Sequence, residues 1–202
     1  MGRRFAPLRA HPSGVSAPRL AATVMLARPA VDGIEVYMAR RSARSGFAPD
    51  AYAFPGGALE PEDGAPPAGL RHAAVRELFE EAGVRLDAEE LFAFSHWITP
   101  PSEPRRYDTH FFFAPAPLDQ IARADAFEMH DGLWIAPRDA LQRYRERRLH
   151  LVYPTIKHLE RLSAFASVDE IVAFVREKTI HTICPAPAGD TFEIPAGLED
   201  AW

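Results

Sequence analysis

Three glutamates near the middle of the chain have the spacing and charge to hold a metal ion. Glu77, Glu80 and Glu81 lie in the segment RELFEEAGV, and on a helix they occupy positions i, i+3 and i+4. They share one face, where like charges repel, and they lie near a helix C-terminus, whose dipole disfavours anions. A hard cation such as Mg²⁺ or Mn²⁺ would reverse this cost, because carboxylate oxygens are its ligands. The alternative is a solvated acidic face paired with nearby arginines.

A glycine pair upstream supplies a second element of the pattern. Gly56 and Gly57 follow a short apolar run and form a turn whose backbone carbonyls could join a metal shell. Glu60 follows, so the chain contains Gly-Gly-x-x-Glu and then Arg-Glu-apolar-x-Glu-Glu-x-Gly-apolar. The two parts together are far more specific than either alone.

This combination resembles the Nudix box, the signature of hydrolases that split nucleoside diphosphates linked to another moiety. The second half of the box is intact from Arg76 to Val84. In the first half, Asp63 takes the usual Glu position, and twelve residues rather than seven separate it from Arg76. The five extra residues lengthen the loop before the helix and leave the role of Asp63 in question.

The resemblance implies a role for each residue of the box. The implied metal ligands are Glu77, Glu80, Glu81 and a carbonyl at Gly57, next to the supporting Gly56. Arg76 would orient the acidic cluster, with Glu60 as its suggested partner, and Glu81 would take part in catalysis. The alternative for Arg76 is a salt bridge that serves stability only.

Other stretches resemble one Nudix branch, the peroxisomal-type diphosphatases that act on CoA and acyl-CoA. They comprise Arg41-Ser42, Gly46-Phe47, residues 97–100, residues 105–109, Phe111-Phe112, Glu128 six residues before Trp134, and residues 159–169. The expected substrate-binding residues are Arg41, Arg105, Arg106 and Asp108. Guanidinium groups suit bidentate phosphate binding, although a surface charge pair is the alternative for Arg105 and Arg106. Glu128 is expected to complete the metal site or act as general base, the alternative being an exposed loop acid.

The predicted function is Mg²⁺- or Mn²⁺-dependent hydrolysis of a diphosphate bond in a small-molecule nucleotide conjugate. The branch resemblance makes CoA or acyl-CoA the first substrate, with 3′,5′-ADP and (acyl-)phosphopantetheine as products. ADP-ribose or NADH is the alternative substrate. A Nudix-fold module that senses a nucleotide without cleaving it is the alternative of another class.

The hydrophobic pattern predicts the elements that position these residues. The clearest helix covers residues 68–82 and ends at Gly83. Strands are predicted at residues 20–27, 34–38, 91–98, 109–114 and 133–136, and further helices at about 138–147, 154–165 and 168–178. The resemblance implies an α/β fold, the Nudix α/β/α sandwich, with a mixed sheet, a strand–loop–helix box and extra C-terminal helices. Leu159, Leu162 and Phe165 share a helical face that is expected in the core or against a homodimer partner.

Length and composition bound the remaining possibilities. The chain has 202 residues, 47% of them apolar, a net charge of −5 and one cysteine. These values predict a single domain over residues 20–202, preceded by a disordered basic arm over residues 1–19. No nucleic-acid or membrane partner is expected, and the lone Cys184 favours a reducing compartment such as the cytoplasm. The histidines at 72, 96, 110 and 130 show no metal-binding spacing, so no zinc site is predicted.

Overall fold

Ten strands and four helices make up residues 16–199, the part of the chain described by the structure, which is a computed structural model. The strands are β1 (Arg19–Ala30), β2 (Gly33–Arg41), β3 (Tyr52–Ala53), β4 (Gly56–Ala58), β5 (Phe92–Ile98), β6 (Tyr107–Pro115), β7 (Met129–Ile135), β8 (Thr182–Ile183), β9 (Ala186–Ala188) and β10 (Thr191–Glu193). The helices are α1 (Ala68–Ala82), α2 (Pro137–Arg145), α3 (Tyr153–Leu162) and α4 (Val168–Glu177), with 3₁₀ turns at Pro61–Asp63 and Ala88–Glu90. The main predicted helices and strands are therefore confirmed.

Eight of the strands form one mixed sheet centred on β1. The order along the sheet is β3-β2-β1-β6-β5-β8, while β4 pairs with β1 and β7 pairs with β2. The β1–β6 and β5–β8 pairs are parallel, and the other pairs are antiparallel. Strands β9 and β10 form a separate hairpin. The expected mixed sheet is confirmed.

Helices cover both faces of this sheet, each over its own core. One core packs α1 against alternate residues of β1, among them Val24 and Leu26, and contains Leu78 of the helix. The other packs α2, α3 and α4 against the opposite face, where Met25 and Phe113 lie. Since successive strand residues point to opposite faces, the uninterrupted apolar run in β1 serves both cores. This three-layer arrangement confirms the predicted sandwich.

The C-terminal helical face predicted from Leu159, Leu162 and Phe165 belongs to this second core. Leu159 and Leu162 are fully buried, and Phe165 packs against the same core. The core alternative is therefore the one observed, and a homodimer remains a prediction.

Helix α1 ends where the sequence predicts, and the end has a defined geometry. Gly83 has a φ of 70°, in the left-handed region that glycine adopts without steric cost. Its N–H donates to the carbonyl of Phe79 at 2.9 Å, which closes the last turn. The acidic face of α1 is thereby held next to β4.

Two expectations concern the ends of the chain and the membrane. Residues 1–15 of the expected basic arm lie outside the described residues, and Arg19, its last residue, already belongs to β1. Within residues 16–199, no helix is both long enough and apolar enough to cross a bilayer.

Candidate active site

The three glutamates of helix α1 lie together but differ in their exposure to solvent. Glu81 is 5% exposed, while the side chain of Glu80 is 55% exposed and that of Glu77 is largely covered. The N–H of Gly56 donates to Oε2 of Glu81 at 2.9 Å, which ties the buried carboxylate to strand β4. The acidic face therefore extends from the solvent-exposed Glu80 to the buried Glu81, which contacts the glycine pair.

Gly57 must be a glycine because the Glu77 carboxylate lies against its Cα. A Cβ placed at this position would collide with both carboxylate oxygens of Glu77. The backbone of Gly57 and the carboxylate of Glu77 can therefore both face one small ion. This close approach is the structural reason for the glycine at the middle position of β4.

Arg76 links the parts of the box through three nitrogens. Nε and Nη2 donate to the two carboxylate oxygens of Asp63, each at 2.9 Å, and Nη2 also donates to the carbonyl of Ala58. Nη1 donates to Oε1 of Glu77 at 2.8 Å and to Oε2 of Glu80 at 3.0 Å. Arg76 thus contacts two of the candidate ligands and the loop before the helix at once.

The anchor of Arg76 is Asp63, which corrects the suggestion that Glu60 pairs with it. Asp63 is buried, and its Oδ2 also accepts the backbone N–H of Glu60 at 2.9 Å. The carbonyl of Asp63 lies 2.9 Å from Nδ1 of His72 on α1. The 3₁₀ turn at Pro61–Asp63 aims the Asp63 carboxylate at α1, so the extra residues extend the loop after it without displacing it.

Burial and mutual repulsion disfavour charge on the inner carboxylates. Burial, with a smaller contribution from the neighbouring Glu77, raises the pKa of Glu81 to about 8. Burial also raises the pKa of Glu77, against the lowering effect of Arg76. The pKa of Asp63 is lowered, chiefly by its hydrogen bonds from Arg76. The helix therefore holds two carboxylates whose ionised forms need additional positive charge.

Glu128 and Arg41 approach this cluster from the β2–β7 edge. Arg41 pairs with Met129 across these strands, and the N–H of Ser42 donates to the Glu128 carbonyl at 2.8 Å. The charge of Glu128 raises the pKa of both Glu77 and Glu81, while Arg41 lowers that of Glu81. The structure thus brings both sequence-predicted residues into the electrostatic reach of the box.

Arg41 and Arg105 both hold the loop between β2 and β3, residues 42–51. Nε of Arg41 donates to the carbonyl of Phe47 at 3.1 Å, and Nη2 donates to Oγ of Ser45 at 3.0 Å. Arg105 donates to the Gly46 carbonyl. The ring of Phe47 packs edge-on against Tyr107, with 5.4 Å between centroids. Both arginines therefore contact this loop directly, with Tyr107 packed against its Phe47.

Arg106 and Asp108 have partners elsewhere. Nε of Arg106 donates to the Thr99 carbonyl at 2.9 Å, which closes the β5–β6 connection. Asp108 is hydrogen-bonded to His96 and lies near His110, so it orients neither arginine. The hydrogen bonds of Arg106 and Asp108 thus lie outside the loop that Arg41 and Arg105 contact.

Tyr37 is a site neighbour that sequence reasoning missed. Its hydroxyl is buried, and among the described residues it has no hydrogen-bond partner. Burial raises its pKa to about 12, with smaller contributions from the charges of Glu81 and Asp125. Strand alternation alone marks Tyr37 as a core residue of β2, and only the fold shows that its polar end faces the acidic cluster.

The donor set suits a hard divalent cation. Three carboxylates, a backbone approach at Gly57 and a nearby Glu128 provide oxygen ligands only, which is the preference of Mg²⁺ and Mn²⁺. A cation between Glu77 and Glu81 would also supply the positive charge that these crowded groups lack. The residues present therefore fit such an ion.

Comparison with known families and proteins identifies similar sequences. Residues 17–154 match the family model described as NUDIX domain. A Caenorhabditis elegans protein whose provisional name is nudix hydrolase 7 is 27% identical over 187 residues, covering 75% of this chain and 63% of that protein. The acyl-coenzyme A diphosphatase NUDT19 of Xenopus laevis is 22% identical over 243 residues, covering 72% and 64%. The chain thus spans less than two thirds of the length of these curated relatives.

A solved structure shares the same architecture. The crystal structure of a NUDIX hydrolase from Alicyclobacillus acidocaldarius superimposes with a TM-score of 0.72 and 27% identity. The match covers 80% of this chain and 98% of that one. The sandwich and the strand–loop–helix box are therefore shared over nearly the whole solved domain.

Proposed function

Because this chain belongs to the Nudix family, we propose that it hydrolyses a diphosphate bond in a nucleotide conjugate with Mg²⁺ or Mn²⁺. The single observation that carries the proposal is the gathering of Glu77, Glu80 and Glu81 against Gly56 and Gly57. An acidic helix face that served solubility alone would not bury Glu81. The cation, when bound, neutralises the diphosphate and lowers the pKa of the attacking water.

The side chains of the box have different proposed roles in metal binding and proton transfer. Glu77, Glu80 and Glu81 hold the cation, with the backbone at Gly57 beside them, and Arg76 fixes Glu77 and Glu80 through its Nη1. Glu128 accepts the proton of the attacking water, because it is the remaining carboxylate whose charge reaches the cluster. Glu81 is the second candidate for the base, because burial raises its pKa to about 8. Water attack leaves one phosphate on each product.

CoA or an acyl-CoA is the substrate we propose within this class. The support is the similarity to the acyl-coenzyme A diphosphatases and the placement of Arg41 and Arg105 at one loop, because guanidinium groups suit phosphate oxygens. The products would be 3′,5′-ADP and (acyl-)phosphopantetheine. ADP-ribose and NADH are the substrates to compare.

The test is product analysis by mass spectrometry. The purified protein with Mg²⁺ or Mn²⁺ is given CoA, an acyl-CoA, NADH and ADP-ribose in parallel. Release of 3′,5′-ADP from the CoA substrates alone supports the full proposal, whereas cleavage of ADP-ribose or NADH replaces the substrate and keeps the chemistry. Tight binding without turnover in Mn²⁺ would overturn hydrolysis in favour of a nucleotide sensor.

Comparing ligand variants with a control variant tests whether the measured turnover depends on the glutamates of the box. Glu80→Gln and Glu81→Gln remove a ligand charge and should lower the turnover by roughly 100-fold or more while the chain still folds. Glu89→Gln changes an exposed acid beyond the end of α1 and should leave turnover unchanged. Full activity in both ligand variants would refute the ligand assignment.

A further inference from the structure

A second group of metal-ligating side chains lies on strands β5 and β6. His96 and His110 are direct cross-strand partners, and Asp108 precedes His110 by two residues. Paired residues, and residues two apart on a strand, point to the same face of a sheet. One ligand atom from each of the three residues lies within 4.8 Å of the other two.

The contacts hold these side chains in one arrangement. Nε2 of His96 donates to Oδ1 of Asp108 in a short hydrogen bond, and Nε2 of His110 lies 3.9 Å from the same oxygen. The two imidazole rings are stacked, with 4.2 Å between centroids. Nδ1 of His96 is 2.8 Å from Oγ1 of Thr182 on β8, which orients the ring from its other side. A polar partner behind a ligating histidine is a common feature of metal sites.

The charge balance of the group favours a cation. The two stacked imidazole rings, 4.2 Å apart between centroids, bring two ring nitrogens close to one carboxylate. Neutral imidazole is the form that binds metal, and Oδ1 of Asp108 lies near Nε2 of both rings. The three side chains are 17%, 24% and 34% exposed, so an ion can reach them from solvent.

We propose that His96, Asp108 and His110 bind a Zn²⁺-type transition-metal ion through two imidazole nitrogens and one carboxylate oxygen. Zn²⁺ takes nitrogen and oxygen ligands at about 2.0–2.2 Å, which places tetrahedral ligand atoms roughly 3.3 Å apart. Reaching that spacing from 3.9 Å needs a side-chain shift of less than 1 Å. In the bound form the neutral His96 ring would carry its proton on Nδ1, donated to Oγ1 of Thr182, so that Nε2 is available to the ion, and water would take the fourth position.

This site is separate from the carboxylates of α1 in place and in chemistry. Ala22 of β1 pairs with His110 on one side and with Gly57 on the other. Two strand spacings, about 10 Å, therefore separate the backbones of His110 and Gly57. The glutamate site offers oxygen atoms only, whereas the histidines select a softer ion than Mg²⁺. Metal binding here would join β5, β6 and, through Thr182, β8.

The test is calorimetric titration of the metal-stripped protein with Zn²⁺ in excess Mg²⁺, which occupies the glutamates. The wild type and Glu80→Gln should each bind one Zn²⁺. His110→Ala and Asp108→Asn should weaken binding roughly 100-fold or more. His181→Ala removes an exposed histidine beside β8 and is the matched control, as is Cys184→Ser for the exposed thiol.

The melting temperature provides a second readout. Zn²⁺ should raise the melting temperature of the wild type and of His181→Ala, and should not change that of His110→Ala, because binding to the native state alone stabilises it. His110→Asn serves the same comparison if the alanine variant does not fold. Absence of Zn²⁺ binding in excess Mg²⁺ would overturn the site, and so would unchanged binding by His110→Ala or loss of binding in Glu80→Gln.

Discussion

Arg76 and Asp63 form a two-point ion pair in which Nε donates to Oδ1 and Nη2 to Oδ2, both at 2.9 Å. The pair joins the first half of the box to the helix of the second half across the lengthened loop. It leaves Nη1 of Arg76 for Glu77 and Glu80. The position of the candidate ligands therefore depends on a residue that does not itself face the metal.

Asp63→Asn should lower kcat/KM roughly 10- to 100-fold, because loss of the carboxylate charge loosens the guanidinium that orients Glu77 and Glu80. Steady-state kinetics at a series of Mg²⁺ concentrations measures this effect. We expect part of the loss to appear as a higher Mg²⁺ concentration needed for half-maximal activity. Glu62→Gln changes the exposed neighbouring acid and is the control. Equal activity in the two variants would show that Arg76 needs no anchor.

Gly57→Ala should lower both the melting temperature and the activity, because the new Cβ collides with the Glu77 carboxylate. Removing that carboxylate in the double variant Gly57→Ala/Glu77→Ala should relieve the collision. The melting temperature of the double variant should then match that of Glu77→Ala alone. Independent, additive losses of stability would contradict the close approach.

Glu128→Gln should lower turnover by roughly 100- to 10,000-fold if Glu128 accepts the proton of the attacking water. The substrate KM should change little, because the side chain is assigned to proton transfer rather than binding. Asp131→Asn is the control, since this exposed acid of β7, three residues after Glu128, pairs with Arg40. Turnover kept in Glu128→Gln would contradict this assignment and would leave Glu81 as the candidate base.

His158 should make the free energy of unfolding fall as the pH drops below about 6.5. Burial lowers its pKa from 6.5 to about 3, and its neutral ring lies between Ser95 Oγ and the Pro154 carbonyl, each at 2.6 Å. Between these pH values the unfolded chain binds a proton that the folded chain does not, so folding weakens towards acid. The loss attributable to His158 at pH 5 is about 2 kcal/mol.

Urea unfolding of the wild type and of His158→Gln from pH 7.5 to 5 measures this contribution. The variant is less stable at neutral pH, because it disturbs a buried polar contact, but its stability should fall less steeply with acid. Equal slopes in the two proteins would show that His158 does not carry the acid sensitivity.

The sequence predicted helix α1 and its acidic face well because both depend on local patterns. The apolar spacing, the three glutamates and Gly83 lie within one continuous segment, and the structure has the helix at the predicted residues 68–82. Asp63 was harder to interpret, since the length of the following loop hides which acid meets Arg76. The partner of an arginine across a loop is a tertiary property.

The histidine cluster could not be predicted because a bulge in β5 reverses the side-chain alternation. Phe92 and Phe94 face one core, and simple alternation would place His96 beside them. The register shifts between Ala93 and Ser95, so His96 instead faces His110. His96 and His110 therefore lie together with Asp108, an arrangement that their spacing in the sequence does not indicate.

The central position of β1 has a consequence for how the chain reaches its native state. Its parallel partner β6 follows only after β2 to β5 and helix α1 have been synthesised. Until then one edge of the apolar strand has no neighbour, and pairing must close a long loop, which slows folding and favours aggregation. Nascent or truncated chains that end before Pro115 should therefore depend on chaperones until the sheet can be completed.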